Sequence, residues 1–261
     1  MRMKSNLAGR TIGLAVLMIA LIGSTVRATT RTTQSFNAFP GFGVEFTNCV
    51  ESIGVTLVPT TSARAYVPNQ FVLAGDGQPV TPLVARTARC AGLIVDGHSS
   101  GGVEIVQIGA VLVPPDFTGD INNYSIWYYT TNLRLALRLL LAGINAQYVP
   151  TIDYDHNTQD NTLRVRVPLP GIPRLEISGA VIPSPQPAGS FVANWWQATM
   201  GGSLKMSTSV PVINIGTADL LMTTNQHGPL GQLIGGPSIG FPIIQQFNTF
   251  SAAHMEVRVA P

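Results

Sequence analysis

The chain has 261 residues, and only 11 % of them are charged, against about 25 % in an average soluble domain. Fifteen Lys and Arg stand against thirteen Asp and Glu, but Arg2, Lys4, Arg10 and Arg27 all fall within the first 28 residues, and without that segment the net charge is −2. No run of basic residues remains to release counterions from a phosphate backbone, which argues against nucleic acid as a partner.

The first residues read as a secretory signal. A basic start, Met1-Arg2-Met3-Lys4, leads through Arg10 into an unbroken apolar run from Ile12 to Gly23. Those twelve residues are too few for a membrane-spanning helix, which needs about 20. Val26-Arg27-Ala28 offers a cleavage site after Ala28, and no cysteine follows the run to carry a lipid anchor. Residues 1–28 are therefore expected to be removed, and residues 29–261 to form a single β-rich domain, secreted or periplasmic, with no membrane span. Thr29 to Phe39 is a polar lead-in. Cys49 and Cys90 are the only cysteines. Export permits one bridge between them, the alternative being two buried thiols.

From Gly41 onward, short β-branched and aromatic runs alternate with Gly, Pro, Asn and Asp clusters, the pattern of strands joined by hairpins. Strands are expected at Ser52–Val58, Leu83–Cys90, Gly92–Val95, Val103–Val113 and Tyr124–Thr130. Further strands are expected at Leu163–Val167, Leu175–Ile182, Leu204–Ser209, Ala218–Thr224 and Ala253–Val259. Proline clusters at Pro114-Pro115, Pro168 to Pro173 and Pro183 to Pro187 stop strands. One helix stands out, Leu133 to Ala142, with Asn132 as N-cap and Gly143 after its end. Only Arg134 and Arg138 are polar in it, so it is expected to be buried, packed against or plugging a curved sheet. A shorter helix is expected from Thr61 to Tyr66, ended by Val67-Pro68.

Several motifs suggest chemistry. Gly97-His98-Ser99-Ser100-Gly101 matches a nucleophile elbow, in which a strand-to-helix turn exposes a serine to a histidine base. Here a strand-like run, Gly102 to Ile108, follows, and a hairpin loop is the better reading. A secreted serine hydrolase using Ser99, with Asp219 and His227 or His254, is the remote alternative. Asp153-Tyr154-Asp155-His156-Asn157 with Asp160 hints at a calcium loop, but Thr158 and Arg164 replace the glycine and glutamate such a loop needs. The four histidines lack metal-ligand spacing, so no metal and no cofactor are expected. Asn123-Tyr124-Ser125 is a glycosylation sequon. Lys205 is the single lysine beyond the signal; a desolvated lysine amine suits Schiff-base chemistry.

The order of these features resembles the acetoacetate decarboxylase-like family. Ala63 to Phe71 is similar to that family's short helix and VP-x-x-hydrophobic segment, and Val84 to Cys90 to its next strand. Tyr124 to Gly143 resembles its central strand and helix. Phe191 to Trp196 and Pro229 to Leu233 resemble its C-terminal half. The resemblance implies a curved antiparallel sheet closing into a barrel or cone around a small apolar cavity, with one buried helix. It also implies a Schiff-base lysine assisted by a carboxylate. Glu104 falls where that carboxylate is expected, but the stretch Arg138 to Gly143, where the lysine belongs, contains none. An arginine cannot replace it, because its guanidinium stays protonated. The expected function is thus binding of a small carboxylic, keto or lipid-like molecule, with Arg134, Arg138, Trp127 and Tyr129 as candidate ligand contacts. The alternative is a carbon-carbon lyase working through a relocated Lys205, with Glu104 as its carboxylate.

Overall fold

The computed structural model describes residues 41–168, 175–199 and 202–260. The signal reading, the polar lead-in and most of the Pro168 to Pro173 cluster lie outside these residues. The described elements are β1 (Phe42–Pro59), α1 (Thr60–Arg64), β2 (Val80–Val95), β3 (His98–Ser99), β4 (Val103–Val111), β5 (Ile121–Thr130), α2 (Leu133–Ala142) and β6 (Ala146–Tyr148). They continue with β7 (Asp153–Asn157), β8 (Thr162–Val167), β9 (Leu175–Ile182), β10 (Pro187–Thr199), β11 (Gly202–Thr224), α3 (Pro229–Ile234), β12 (Ser238–Gly240) and β13 (Ile244–Ala260).

Hydrogen bonds join β10, β5, β4, β2, β1, β13 and β11 in that order, and β11 pairs again with β10, so the curved sheet runs round in a ring. The sheet is mixed rather than wholly antiparallel, because β10 and β6 both lie parallel to β5. The β10–β5 seam is short, joining Ala193 to Trp196 with Ile121 to Tyr124. Beyond β11 the sheet continues through β9, β8 and β7 as a wing.

The strands are longer than their apolar runs suggest. Leu83–Cys90 and Gly92–Val95 are parts of one strand, β2, and Leu204–Ser209 and Ala218–Thr224 are parts of β11. Pro211 does not end β11. It lies where the register with β10 shifts and where the β13 ladder is interrupted between Ser209 and Asn214, so no ladder N–H is demanded of it.

Alternation along the strands divides the buried side chains between two cores. The inner one fills the ring and includes Val44, Val55, Val84, Leu93, Ile105, Tyr128, Trp195, Met206 and Val257. The outer one lies between the opposite face of β2, β4 and β5 and the wing strands, with α1 and α3 adding Ala63, Leu230 and Leu233. Cys49 and Cys90 face each other across the β1–β2 ladder with Cα atoms 4.1 Å apart, and are disulfide-bonded within the inner core.

Helix α2 begins and ends as its sequence predicts. Asn132 Oδ1 accepts from Leu135 N at 3.0 Å, and Gly143 adopts a left-handed conformation at φ +98°. Its burial differs from expectation. Leu135, Leu139 and Ala142 join the inner core, whereas Leu133, Leu137, Leu140 and Leu141 are 48 to 75 % exposed. A single helix laid over one end of the ring contacts it through one face only, which leaves the opposite leucine stripe uncovered among the described residues.

Candidate ligand site in the ring

A cavity of about 200 Å³ opens inside the ring, at the end away from α2. Six of the seven ring strands line it. Ile53 and Val55 come from β1, Val84 and Arg86 from β2, Asn123 from β5, Trp195 from β10, Thr208 and Val210 from β11, and Ile244 and Gln246 from β13. Register places them together, since Ile53 stands opposite both Arg86 and Gln246, and Val55 opposite both Val84 and Ile244. The corresponding inward position of β4 is Gly109. A Cβ there would lie 2.6 Å from Trp195 Cζ3 and 2.3 Å from Tyr124 O, so glycine gives the indole its place in the wall.

The floor is polar. Arg86 Nε donates to Glu51 Oε1, and Asn248 Nδ2 donates to Glu51 Oε2 at 3.3 Å. Glu51 is 5 % exposed, so both ions of this pair have left bulk water. Burial pulls the Arg86 guanidinium down, but the Glu51 carboxylate outweighs it and holds the pKa above its usual value. Next in register lie Gln107, whose Nε2 donates to Ser125 Oγ at 3.2 Å, and Tyr128, whose hydroxyl is buried without a partner. Burial raises the Tyr128 pKa and Arg86 only partly offsets it, so the phenol is neutral. Asn123 Oδ1 and Asn248 Oδ1 are also buried acceptors without a partner. At the mouth, Asp120 Oδ2 accepts from Val192 N at 2.7 Å.

The residues singled out from sequence lie elsewhere. Glu104 belongs to the outward phase of β4, where it accepts from Arg89 Nε at 3.2 Å and from Thr131 Oγ1 at 2.7 Å. Trp127 and Tyr129 point into the outer core, with the Tyr66 ring 5.2 Å from Trp127. A register shift between Ile108 and Gly109 sets the phase of β5, and it is Tyr128 that turns inward. Arg134 is exposed on α2, and Arg138 donates to Asp96 at 2.9 Å and covers the Phe42 ring.

Lys205 alternates with Leu204 and Met206, both inner-core residues, and so points out of the ring. It is 3 % exposed, donates to Asp116 Oδ2 at 2.7 Å and to Thr118 Oγ1 at 2.6 Å, and lies over the Trp196 ring. Burial alone would raise the Asp116 pKa, but its bonds from Lys205 and Thr118 outweigh that and lower it. The Asp116 carboxylate is thus ionised, and Lys205 Nζ is engaged by it and by Thr118 outside the ring. Ser99 lies in the exposed strand β3, followed by β4 rather than a helix, and its hydroxyl has no histidine partner among the described residues. Asn157 closes the β7–β8 turn by accepting from Gln159 N, and no cluster of three metal-ligating side chains occurs among the described residues. Asn123 of the sequon is buried in the cavity wall.

Glu51 and Arg86 were absent from the sequence candidates. Their signal is a charge at the inward phase of an otherwise apolar alternation, Glu51 with Ile53 and Val55, and Arg86 with Val84 and Ala88.

No protein-family model matches the sequence, and no curated protein matches it. Solved structures do resemble it. Over 82 % of this chain and 87 % of the other, an acetoacetate decarboxylase superposes with a TM-score of 0.55 at 11 % identity. The acetoacetate decarboxylase of Legionella pneumophila gives 0.52 at 10 % identity, over 94 % and 98 % of the two chains. The enduracididine biosynthesis enzyme MppR, solved with pyruvate, gives 0.53 at 12 % identity over 85 % and 89 %. At such identities the likeness speaks for architecture alone, and in architecture the chain has the acetoacetate decarboxylase-like fold.

Proposed function

We propose that this chain is an exported small-molecule-binding protein that uses the ring cavity as its ligand site, and that it does not work as a Schiff-base decarboxylase. One observation carries the reading: the cavity has apolar walls and a hydrogen-bonding floor, and among the described residues no lysine faces it. Concave, mostly apolar sites with a few convergent polar groups are the usual form of small-molecule sites. At about 200 Å³ the cavity exceeds the one of about 150 Å³ that holds a benzene ring. The neighbouring fold that holds pyruvate fits a small-ligand role for this architecture. The disulfide fits export, since such bonds persist in oxidising compartments.

The test is titration of the mature protein with benzyl alcohol, followed by Trp fluorescence and isothermal calorimetry, beside an Ala193→Trp variant that fills the cavity. Saturable binding that the variant abolishes is expected. Binding that survives it refutes the site. Borohydride with pyruvate or acetoacetate should leave no reduced adduct; one on Lys205 would restore the lyase reading. Secretion with a mature N-terminus at Thr29 checks export.

A further inference from the structure

We propose that the ring cavity selects an uncharged molecule whose polar end donates hydrogen bonds, and that it rejects carboxylates. This rests on the cavity being the ligand site.

The argument begins with charge. Among the described residues Arg86 is the one cation lining the cavity, and two carboxylates, Glu51 and Asp120, share that lining. Glu51 already occupies Arg86, through Nε. A carboxylate entering from solvent would be a third negative charge against one positive charge. It could reach only the terminal nitrogens of Arg86, a guanidinium whose charge Glu51 already neutralises, and a buried carboxylate with no counter-charge of its own is strongly unfavourable. An unpaired arginine in a cavity would invite an acid; here the neighbouring glutamate has neutralised it.

The unpartnered atoms set the ligand's polarity. Asn248 must turn its Nδ2 toward the Glu51 carboxylate, which fixes Oδ1 as the atom left without a donor. Asn123, 1 % exposed and part of the wall, also carries an Oδ1 without a donor, and its amide, which no side-chain bond holds among the described residues, is free to present that atom. A hydroxyl or primary amide meets this arrangement: it donates to a carboxamide oxygen and accepts from the terminal nitrogens of Arg86, to which no hydrogen bond is made among the described residues. Val55, Val84, Val210 and the Trp195 indole then surround an aromatic or aliphatic body.

Four probes of one shape decide the matter at pH 7: benzamide, benzyl alcohol, benzoate and benzylammonium, each titrated into wild type and Glu51→Gln by calorimetry. In wild type, benzamide and benzyl alcohol should bind, with benzoate and benzylammonium at least about tenfold weaker, the ammonium because it must leave water and can accept nothing from the Arg86 nitrogens it would face. Glu51→Gln leaves Arg86 uncompensated, so benzoate should gain about tenfold or more. Asp120→Asn, at the exposed mouth, keeps the floor intact and folded, and should raise benzoate affinity about threefold. Wild type binding benzoate or benzylammonium as tightly as benzamide overturns the ligand class but leaves the site standing. Unchanged benzoate affinity in both variants also overturns the class. If no probe binds, or if Ala193→Trp binds them all undiminished, the cavity itself is not the site.

Discussion

Removing Glu51 is the sharpest test of the floor described above. Its carboxylate and the Arg86 guanidinium retain only 7 % and 14 % side-chain exposure. Glu51→Leu would leave the guanidinium without its counter-ion at a site water barely reaches, at a cost of about 3–5 kcal/mol. Asn248 Nδ2 loses its acceptor too, adding about 1 kcal/mol. In a domain of this size each kcal/mol shifts Tm by about 2–4 °C, so a fall of roughly 8–24 °C is expected. Arg86→Met should cost a similar amount. The double variant Glu51→Leu/Arg86→Met replaces the pair with apolar side chains and should return to within about 2 kcal/mol of wild type. Urea unfolding of all four proteins closes the cycle, with a coupling of about 3 kcal/mol or more. Single variants that each lose under about 1 kcal/mol and simply add would refute the argument, because they would mean the pair is solvated.

Other outcomes follow from features away from the floor. Reducing Cys49–Cys90, or replacing both by Ala, should lower stability by about 4 kcal/mol in the loop-entropy model, and reductant should then do nothing further to the double variant. Gly109→Ala forces a methyl against Trp195 and Tyr124 O and should cost about 1–3 kcal/mol while shifting the Trp emission. Burial, with help from Arg89, lowers the His156 pKa below its ordinary 6.5, so the fold favours the neutral ring. Stability from this group is complete above 6.5 and lost as pH falls through the folded value; urea titration should show that decline, and His156→Phe should remove it. Asp116, also lowered, contributes above its ordinary 3.8 and loses that contribution at more acid pH, a limb that Asp116→Asn should flatten.

What the sequence revealed depended on whether a property was local. Asn132 and Gly143 mark the ends of α2 because capping is decided within a few residues, and those ends match. Strand content was legible from β-branched runs, and the fold from the order of short segments. The burial of α2 was not legible, because which leucines meet the ring depends on what the rest of the sheet leaves uncovered. β10 was missed because Pro187-Ala188-Gly189-Ser190 and Asn194 carry turn-like composition; its pairing with β11 and β5 holds it as a strand. Which residues line the ring cavity was hard to read for a related reason. Trp127 and Tyr129 lie one residue out of phase with the inward face of β5, and a register shift hidden in the β4 pairing decides which aromatic enters the ring. Glu104 was chosen by position in a resemblance, whereas the alternation of β4 turns it away from the cavity.

The pairing of the first described strand with the last has a kinetic consequence. β1 and β13 pair from Phe42↔Val257 to Val55↔Ile244, nearly the whole described length apart in sequence. Contacts so distant in sequence slow folding, because loop closure must precede their gain. The ring therefore cannot close before residues 244 to 260 are synthesised: until they emerge, β1 has a free edge and the cavity has no wall on that side. For a chain proposed to cross a membrane, this topology keeps the ring open until its last described strand is available.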